Sequence, residues 1–350
     1  MAQSLLETLE QKARPAVLFD KLEGAKVQCH ACAHRCTILP GQQGICRIRF
    51  NRSGILYAPH GYVAGLHCDP IEKKPFFHAY PGALAMSFGM LGCNFHCLFC
   101  QNWISSQALR DPRAGTDVEE VTAADIVNTA VKAGCKIVTS TYNEPLMTSE
   151  WAVEIFKLAK AQGLITSYVS NGHATPEVVE YLQPWLDLFK VDLKAFTEDH
   201  YKMLGGVLER TLDTIRLLHQ RGFWVEIVTL VVTGFNDSVE ELGDIARFIA
   251  GVSHDIPWHV TAFHPDYKMI DPEYTNTASL LNAVKIGKAE GLHFVYAGNL
   301  PGAVGNLENT YCPSCRSLLV ERRGFRIRSN KLQNGGCPQC RSRIPGRWET

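Results

Sequence analysis

The sequence predicts an α/β fold in which a partial TIM barrel of the (β/α)6 type carries small Cys-rich appendages at both ends. Three observations lead to this prediction. Between residues 83 and 298, short β-rich runs alternate with amphipathic stretches of helix length, a pattern typical of parallel βαβ units. Polar residues follow nearly every one of those runs. Eleven of the 13 cysteines fall into three clusters.

The β-rich runs and the stretches between them define the elements of the barrel. The predicted strands are 83–91, 136–142, 164–170, 188–193, 224–232, 259–263 and 293–296. The predicted helices are 123–132, 149–162, 176–183, 198–221, 239–250 and 277–290. Glycines at the ends of four of the helices favour termination there, namely Gly163, Gly222, Gly251 and Gly291.

The overall composition is that of an ordinary globular protein. The 350 residues include 35 Lys and Arg against 35 Asp and Glu, and 46% are apolar, which excludes a disordered chain. No run of about 18 apolar residues is present, and residues 1–19 lack the apolar segment of a secretory signal. We therefore expect a cytoplasmic protein with no membrane contact. In a reducing compartment, clustered cysteines favour metal sites over disulfides.

The polar residues that follow the strands are expected to meet at one rim, because the carboxyl ends of barrel strands lie together. Glu144 could equally be a surface carboxylate, and Asn171 a turn residue. Asp192 and Lys194 could form a plain ion pair, and His264 could be a core histidine. In strand order the candidates are Cys93, Cys97 and Cys100, then Asn143 and Glu144, then Ser170 and Asn171, then Asp192 and Lys194, and finally His264.

The first of these groups has the spacing C-x3-C-x2-C, with Phe99 directly before the last cysteine. Three thiolates in one loop can ligate three irons of a cubane cluster and leave the fourth iron open to a small molecule, whereas electron-transfer clusters use four cysteines. The alternatives are a zinc site that borrows His96, or reduced structural thiols.

The segment 92–102, GCNFHCLFCQN, resembles the cluster loop of radical S-adenosylmethionine (SAM) enzymes, in the branch of pyruvate formate-lyase activating enzyme. This resemblance extends over about residues 83–300. A second resemblance is carried by the segment DPIEKKP at 69–75, by CQNW at 100–103 and by the early segment with four cysteines. Through these segments the chain is similar, along nearly its full length, to the radical SAM enzyme of the AmmeMemoRadiSam system.

The resemblance implies a radical SAM partial barrel and an oxidoreductase activity. A 4Fe-4S cluster on Cys93, Cys97 and Cys100 would reductively cleave SAM to a 5′-deoxyadenosyl radical, which abstracts hydrogen from a macromolecular or partner-bound substrate. Activation of a glycyl radical enzyme is one version, and modification of a protein or RNA is another. The implied cofactor-binding residues are Phe99, Asn143, Glu144, Ser170, Asn171, Asp192, Lys194 and His264.

The resemblance also implies partners. These are an electron donor of the flavodoxin or ferredoxin type, together with Memo-like and AMMECR-domain proteins. A rival hypothesis is a non-catalytic metal-binding adaptor that recognises RNA or protein through its basic, Cys-rich ends. An adaptor has no need of the rim residues, and this favours the enzyme.

The cysteines at the two ends predict further metal sites. Cys29, Cys32, Cys36 and Cys46 offer four thiolates, which suit zinc and a second iron–sulfur cluster equally well. Cys312 and Cys315, followed by Cys337 and Cys340, form two C-x2-C pairs typical of a zinc ribbon. Residues 318–321 and 324–327 between the pairs are predicted to form a hairpin.

The chain therefore divides into three predicted units. Residues 1–80 form an N-terminal extension with the first cysteine group, residues 81–305 the barrel, and residues 306–350 the ribbon-like module. Residues 312–350 carry nine Lys and Arg and two Asp and Glu, a net charge of +7. This charge could contact RNA or an acidic protein, although a solvated basic face is the commoner explanation.

Overall fold

The computed structural model describes residues 5–348 and is built around one mixed sheet of eight strands. The first strand is antiparallel to its neighbour, and the other seven are parallel and follow one another in sequence order. The two edge strands do not pair with each other within residues 5–348, so the barrel is partial. The strands are β1 (Gly65–Pro70), β2 (Leu84–Gly89), β3 (Ile137–Ser140), β4 (Ile165–Ser170), β5 (Leu188–Asp192), β6 (Trp224–Val231), β7 (Trp258–Ala262) and β8 (Val295–Gly298).

The seven predicted barrel strands are confirmed as β2 to β8, and one strand was not predicted. β1 contains Gly65, Asp69 and Pro70, residue types that are depleted in strands, and it lies at the sheet edge where Pro is tolerated. It pairs with β2 so that Gly65 lies opposite Gly89 and Pro70 opposite Leu84.

Helices cover the sheet between successive strands. Thr122 begins the first of the longer ones with a reciprocal capping box to Asp125, and Thr175 caps a helix whose first residue is Pro176. A four-residue helix at Trp103–Ser106 follows β2. The longer helices between barrel strands are α1 (Ala123–Lys132), α2 (Ser149–Ala161), α3 (Pro176–Leu182), α4 (Glu198–Leu204), α5 (Leu208–Gln220), α6 (Val239–Val252) and α7 (Thr277–Ala289).

One helix prediction was wrong, because residues 198–221 form two helices, α4 and α5, instead of one. The break falls at Gly205, whose φ of +83° favours glycine, and at Gly206. A Cβ at Gly205 would lie 2.4 Å from the His96 ring, and one at Gly206 would lie 2.3 Å from Phe95. The helix therefore ends where its backbone must approach the loop that carries the cysteine triplet.

The N-terminal extension is made of short strands that pack beside the barrel. A helix at Leu5–Gln11 precedes them, and Glu119–Glu120 pairs back onto the last of them. These strands are Ala13–Pro15, Phe19–Lys21, Val27–Cys29, Thr37–Ile38, Phe50–Arg52, Ile55–Pro59 and Tyr62–Val63.

The C-terminal module is a three-stranded sheet of Thr310–Tyr311, Leu318–Arg323 and Arg326–Asn330. The predicted hairpin is confirmed and is longer than expected. Its apolar residues form one cluster with Phe77, Phe294 and Tyr296 of the preceding chain. The module is thus packed against the barrel at its last strand, β8.

Among residues 5–348, no helix combines the length and the hydrophobicity that crossing a bilayer requires.

Candidate active site

A cavity of about 420 Å³ lies at the carboxyl ends of the strands, where the rim residues were expected to meet. Nearly all of the rim candidates line it. Its walls include Cys93, Cys97, Phe99, Cys100, Asn143, Glu144, Ser170, Asn171, Asp192 and Lys194.

His264 is the candidate that the structure places elsewhere. Its side chain is exposed, does not line the cavity, and has its Nδ1 3.3 Å from the carbonyl oxygen of Pro265. The loop after β7 folds toward the cysteine loop, because the N–H groups of Lys268 and Met269 both donate to the carbonyl of Leu98. This turn of the backbone leaves His264 facing solvent.

The loop of the cysteine triplet is held by its own backbone and by Arg110. The Phe95 N–H donates to Cys93 Sγ at 3.3 Å, and Cys100 Sγ lies 3.2 Å from the Ser106 hydroxyl. Arg110 donates to the carbonyl of Phe95 at 2.9 Å and also to the carbonyl of Ile45 in the N-terminal extension. The extension therefore braces the loop that presents the cysteines.

Burial keeps the three thiols protonated in the absence of a positive partner. It raises the pKa of Cys97 to about 12, and it raises the pKa of Cys93 well above its ordinary range, with the Glu144 charge adding to the effect. A bound metal reverses this preference, because a coordinating thiol is deprotonated by the metal charge. The three sulfurs are thus suited to a metal centre more than to acid–base chemistry at neutral pH.

Glu144 is the centre of a hydrogen-bond network between the loops after β3 and β4. Its Oε1 accepts from the Ser170 hydroxyl at 2.7 Å and from the Leu146 N–H at 3.1 Å, and its Oε2 accepts from the Asn171 N–H at 2.8 Å. The side chain is 2% exposed, and burial raises its pKa to about 7. A carboxylate has about four acceptor sites, so one remains for a ligand in the cavity.

The two asparagines fix the same loops. Asn143 accepts the Met90 N–H at 3.0 Å and donates to the Glu144 carbonyl at 3.3 Å. Asn171 donates to Asn94 Oδ1 at 2.7 Å, which ties the loop after β4 to the cysteine loop. Asn94 was not singled out from the sequence, and its buried Nδ2 has no hydrogen-bond partner in the described chain.

Buried charges from two regions face the cavity. Lys194 Nζ lies 3.4 Å from Asp192 Oδ2, and Lys190 is hydrogen-bonded to the same carboxyl group. Burial disfavours the charged form of Lys194, but the charge of Asp192 outweighs it and raises the pKa of Lys194. Lys74 donates to Asp69 at 3.0 Å and to the Tyr142 hydroxyl at 3.1 Å.

Several lining residues were not predicted as site residues, and three of them come from different parts of the chain. Lys190 lies inside a predicted strand, and only the alternation of the strand, which it shares with Asp192, could have indicated its direction. Lys74 belongs to the DPIEKKP segment, which was used only to support the family resemblance and not to predict site residues. Phe325, at the tip of the C-terminal hairpin, reaches the cavity from a distant part of the chain, and no local pattern signals that contact.

The C-terminal cysteines have the geometry of a single-ion site. Cys312 Sγ lies 3.5 Å from Cys340 Sγ, Cys315 Sγ lies 3.6 Å from Cys337 Sγ, and all four sulfurs are within 4.8 Å of one another. Tetrahedral zinc with bonds of 2.3 Å requires sulfurs about 3.8 Å apart. This group can therefore bind one metal ion.

Three cysteines and a buried carboxylate thus line one cavity at the rim of a partial barrel. Residues 89–249 match the Radical SAM superfamily. An uncharacterized protein of Methanocaldococcus jannaschii is 38% identical over 311 residues, which are 88% of this chain and 91% of that protein. The chain belongs to the radical SAM superfamily and is an enzyme, so the adaptor hypothesis is wrong.

Two further relatives are activating enzymes. The pyruvate formate-lyase 1-activating enzyme of Escherichia coli K12 is 27% identical over 198 residues, covering 53% of this chain and 77% of the relative. The isethionate sulfite-lyase activating enzyme of Desulfovibrio desulfuricans is 28% identical over 256 residues, covering 69% and 76%. The chain therefore resembles the activating-enzyme branch of the superfamily, as the cysteine loop indicated.

Proposed function

We propose that the cavity binds SAM beside a 4Fe-4S cluster held by Cys93, Cys97 and Cys100, and that the enzyme abstracts hydrogen from a macromolecular or partner-bound substrate. The observation that carries this proposal is that three buried or half-buried thiols share one cavity with Glu144. No fourth cysteine or histidine lines that cavity within the described residues, so the donor set suits a cluster with one open iron.

The chain's own residues would hold and orient the cofactor. When bound, the cluster supplies one electron that cleaves SAM to methionine and a 5′-deoxyadenosyl radical. Glu144 would accept a hydrogen bond from the methionine ammonium through its remaining acceptor site, while Ser170, Leu146 and Asn171 fix the carboxylate. Phe99 packs edge-on to Phe235 at 5.8 Å between ring centroids and supplies an apolar wall.

The substrate is proposed to be a protein, with RNA as the second possibility. Two relatives are named as activating enzymes of other enzymes, which supports a protein substrate. The C-terminal module contributes Phe325 to the cavity wall, so a substrate that reaches the cavity would meet this module first. Candidate partners remain an electron donor of the flavodoxin or ferredoxin type, and Memo-like and AMMECR-domain proteins.

We also propose zinc for Cys312, Cys315, Cys337 and Cys340. Four thiols at tetrahedral spacing leave no open position, which favours a structural role. The proposed role of the site is to fold the hairpin that carries Phe325.

The test is anaerobic reconstitution with iron, sulfide and SAM, followed by reduction with dithionite and chromatography. We expect 5′-deoxyadenosine from the intact chain and from the Cys68→Ser control, since Cys68 belongs to none of the three cysteine groups. A chain that carries its iron and binds SAM but releases no 5′-deoxyadenosine would refute the proposal.

A further inference from the structure

The four N-terminal cysteines come together around one small antiparallel sheet. Val27–Cys29 pairs with Thr37–Ile38, and the Cys29 N–H donates to the carbonyl of Cys36 at 3.0 Å. Cys32 lies in the connecting loop and interacts electrostatically with the other three. Cys29, Cys32 and Cys46 are only 5–6% exposed. Four thiols are thus gathered in one buried place that the proposed SAM chemistry does not use.

The neighbouring histidines do not add to this set. His30 Nε2 lies 2.9 Å from Asp20 and is engaged there. The His34 ring packs on His173, with 4.6 Å between centroids, and on Phe95 of the other cysteine loop, with 6.5 Å between centroids. The donor set is therefore four cysteines, which is complete for either a zinc ion or an iron–sulfur cluster.

The spacing of the sulfurs separates these two possibilities. Among residues 5–348, the C-terminal group is the one set of three or more ligand atoms within 4.8 Å of one another. No three sulfurs of the N-terminal group meet that limit, and neither do the three sulfurs of Cys93, Cys97 and Cys100. Sulfurs around one zinc lie about 3.8 Å apart. Sulfurs on a cluster bind different irons and stand farther apart, and both of these groups differ from the C-terminal group in that direction.

A buried cation beside the group supplies a second observation. Arg49 is 1% exposed, and its two Nη atoms donate to Glu150 at 2.8 and 2.6 Å. Its Nε is buried without a hydrogen-bond partner in the described chain, and its charge acts on Cys29 and Cys46. The sulfurs of an iron–sulfur cluster accept hydrogen bonds from the protein. A cluster at this place would supply the acceptor that Arg49 lacks.

We propose that Cys29, Cys32, Cys36 and Cys46 hold a second iron–sulfur cluster, and that zinc is confined to the C-terminal group. The N-terminal site is closed by four thiolates, so it would not bind SAM. This assignment stands whether or not the cavity cleaves SAM.

The experiment uses the full chain with Cys93→Ala, Cys97→Ala and Cys100→Ala combined, so that the triplet cannot hold iron. After anaerobic reconstitution with iron and sulfide, metals are counted by plasma mass spectrometry and the reduced sample is examined by electron paramagnetic resonance. We expect about two to four irons with equal sulfide, and about one zinc, per chain. Adding Cys32→Ala and Cys46→Ala should remove the iron and leave the zinc.

The proposal would be overturned if the triple variant bound no more iron than the variant that also carries Cys32→Ala and Cys46→Ala, and bound about two zinc ions per chain. If the variants fail to fold, the intact chain decides. A second cluster gives about six to eight irons and one zinc, whereas zinc at both ends gives about four irons and two zinc ions. If the triple variant retains iron but the unsubstituted chain does not cleave SAM, only the function proposed for the cavity is refuted.

Discussion

Replacement of Glu144 by Gln tests the cavity through its pH dependence. The wild-type carboxyl group is buried, with a pKa of about 7, so its ionised fraction falls about tenfold between pH 8 and pH 6. Because an ammonium group prefers the ionised form, SAM affinity should fall by about the same factor over that range. In Glu144→Gln the side chain keeps its size but has no charge to lose, so its affinity should not change with pH over this range.

The loss of SAM affinity that Glu144→Gln should cause at pH 8 follows from the lost negative charge. A charge-assisted hydrogen bond contributes about 1.5–3 kcal/mol, so the variant should bind SAM roughly ten- to a hundred-fold more weakly. Calorimetry on cluster-loaded protein at pH 6, 7 and 8 measures both effects, with the cluster absorbance recorded at each pH. Glu240→Gln, on the exposed side of α6, is the matched control. Wild-type affinity that is flat with pH, or a variant that follows the wild-type profile, would refute this role for Glu144.

Three further predictions concern other parts of the molecule. Cys97→Ala should abolish 5′-deoxyadenosine formation, since the loop offers no spare cysteine, and full turnover would exclude the triplet as the cluster site. Arg322→Met should lower the free energy of unfolding by about 3–5 kcal/mol in denaturant titration, because it leaves the buried Glu72 without its cation, whereas exposed Arg328→Met should have little effect. His264→Ala should leave SAM affinity within about twofold of wild type by calorimetry, and a larger loss would place His264 at the cofactor despite its exposure.

Local patterns in the sequence were sufficient to predict the barrel strands and the cysteine groups. Alternating apolar runs and helix-length stretches depend on neighbouring residues, and the C-x3-C-x2-C and C-x2-C spacings lie within single loops. The meeting of the polar residues at one rim could be predicted from topology, since the carboxyl ends of parallel strands lie on the same side of the barrel. Glu144, Ser170 and Asn171 accordingly meet through direct hydrogen bonds.

Contacts between distant segments were not predictable in this way. The break at Gly205 is set by the His96 ring, which is more than a hundred residues away in the chain. Arg322 belongs to the basic segment 312–350, for which a solvated face was the commoner explanation, but it is buried and donates to the carbonyl of Phe77 at 2.7 Å and to Thr310 at 2.7 Å. A charge pattern cannot distinguish a solvated arginine from one that anchors a module, since the difference lies in its tertiary partners.

The most direct test of the account is the electron paramagnetic resonance spectrum of the dithionite-reduced chain with and without SAM. The central claim is that Cys93, Cys97 and Cys100 hold a cluster with an iron open to the cofactor. A ligand on that iron changes its electronic environment, so we predict that the signal shifts when SAM is added to the intact chain. Cys29→Ala combined with Cys36→Ala should retain the SAM-sensitive part of the spectrum. A spectrum unchanged by SAM, in a sample shown by calorimetry to have bound it, would contradict the claim.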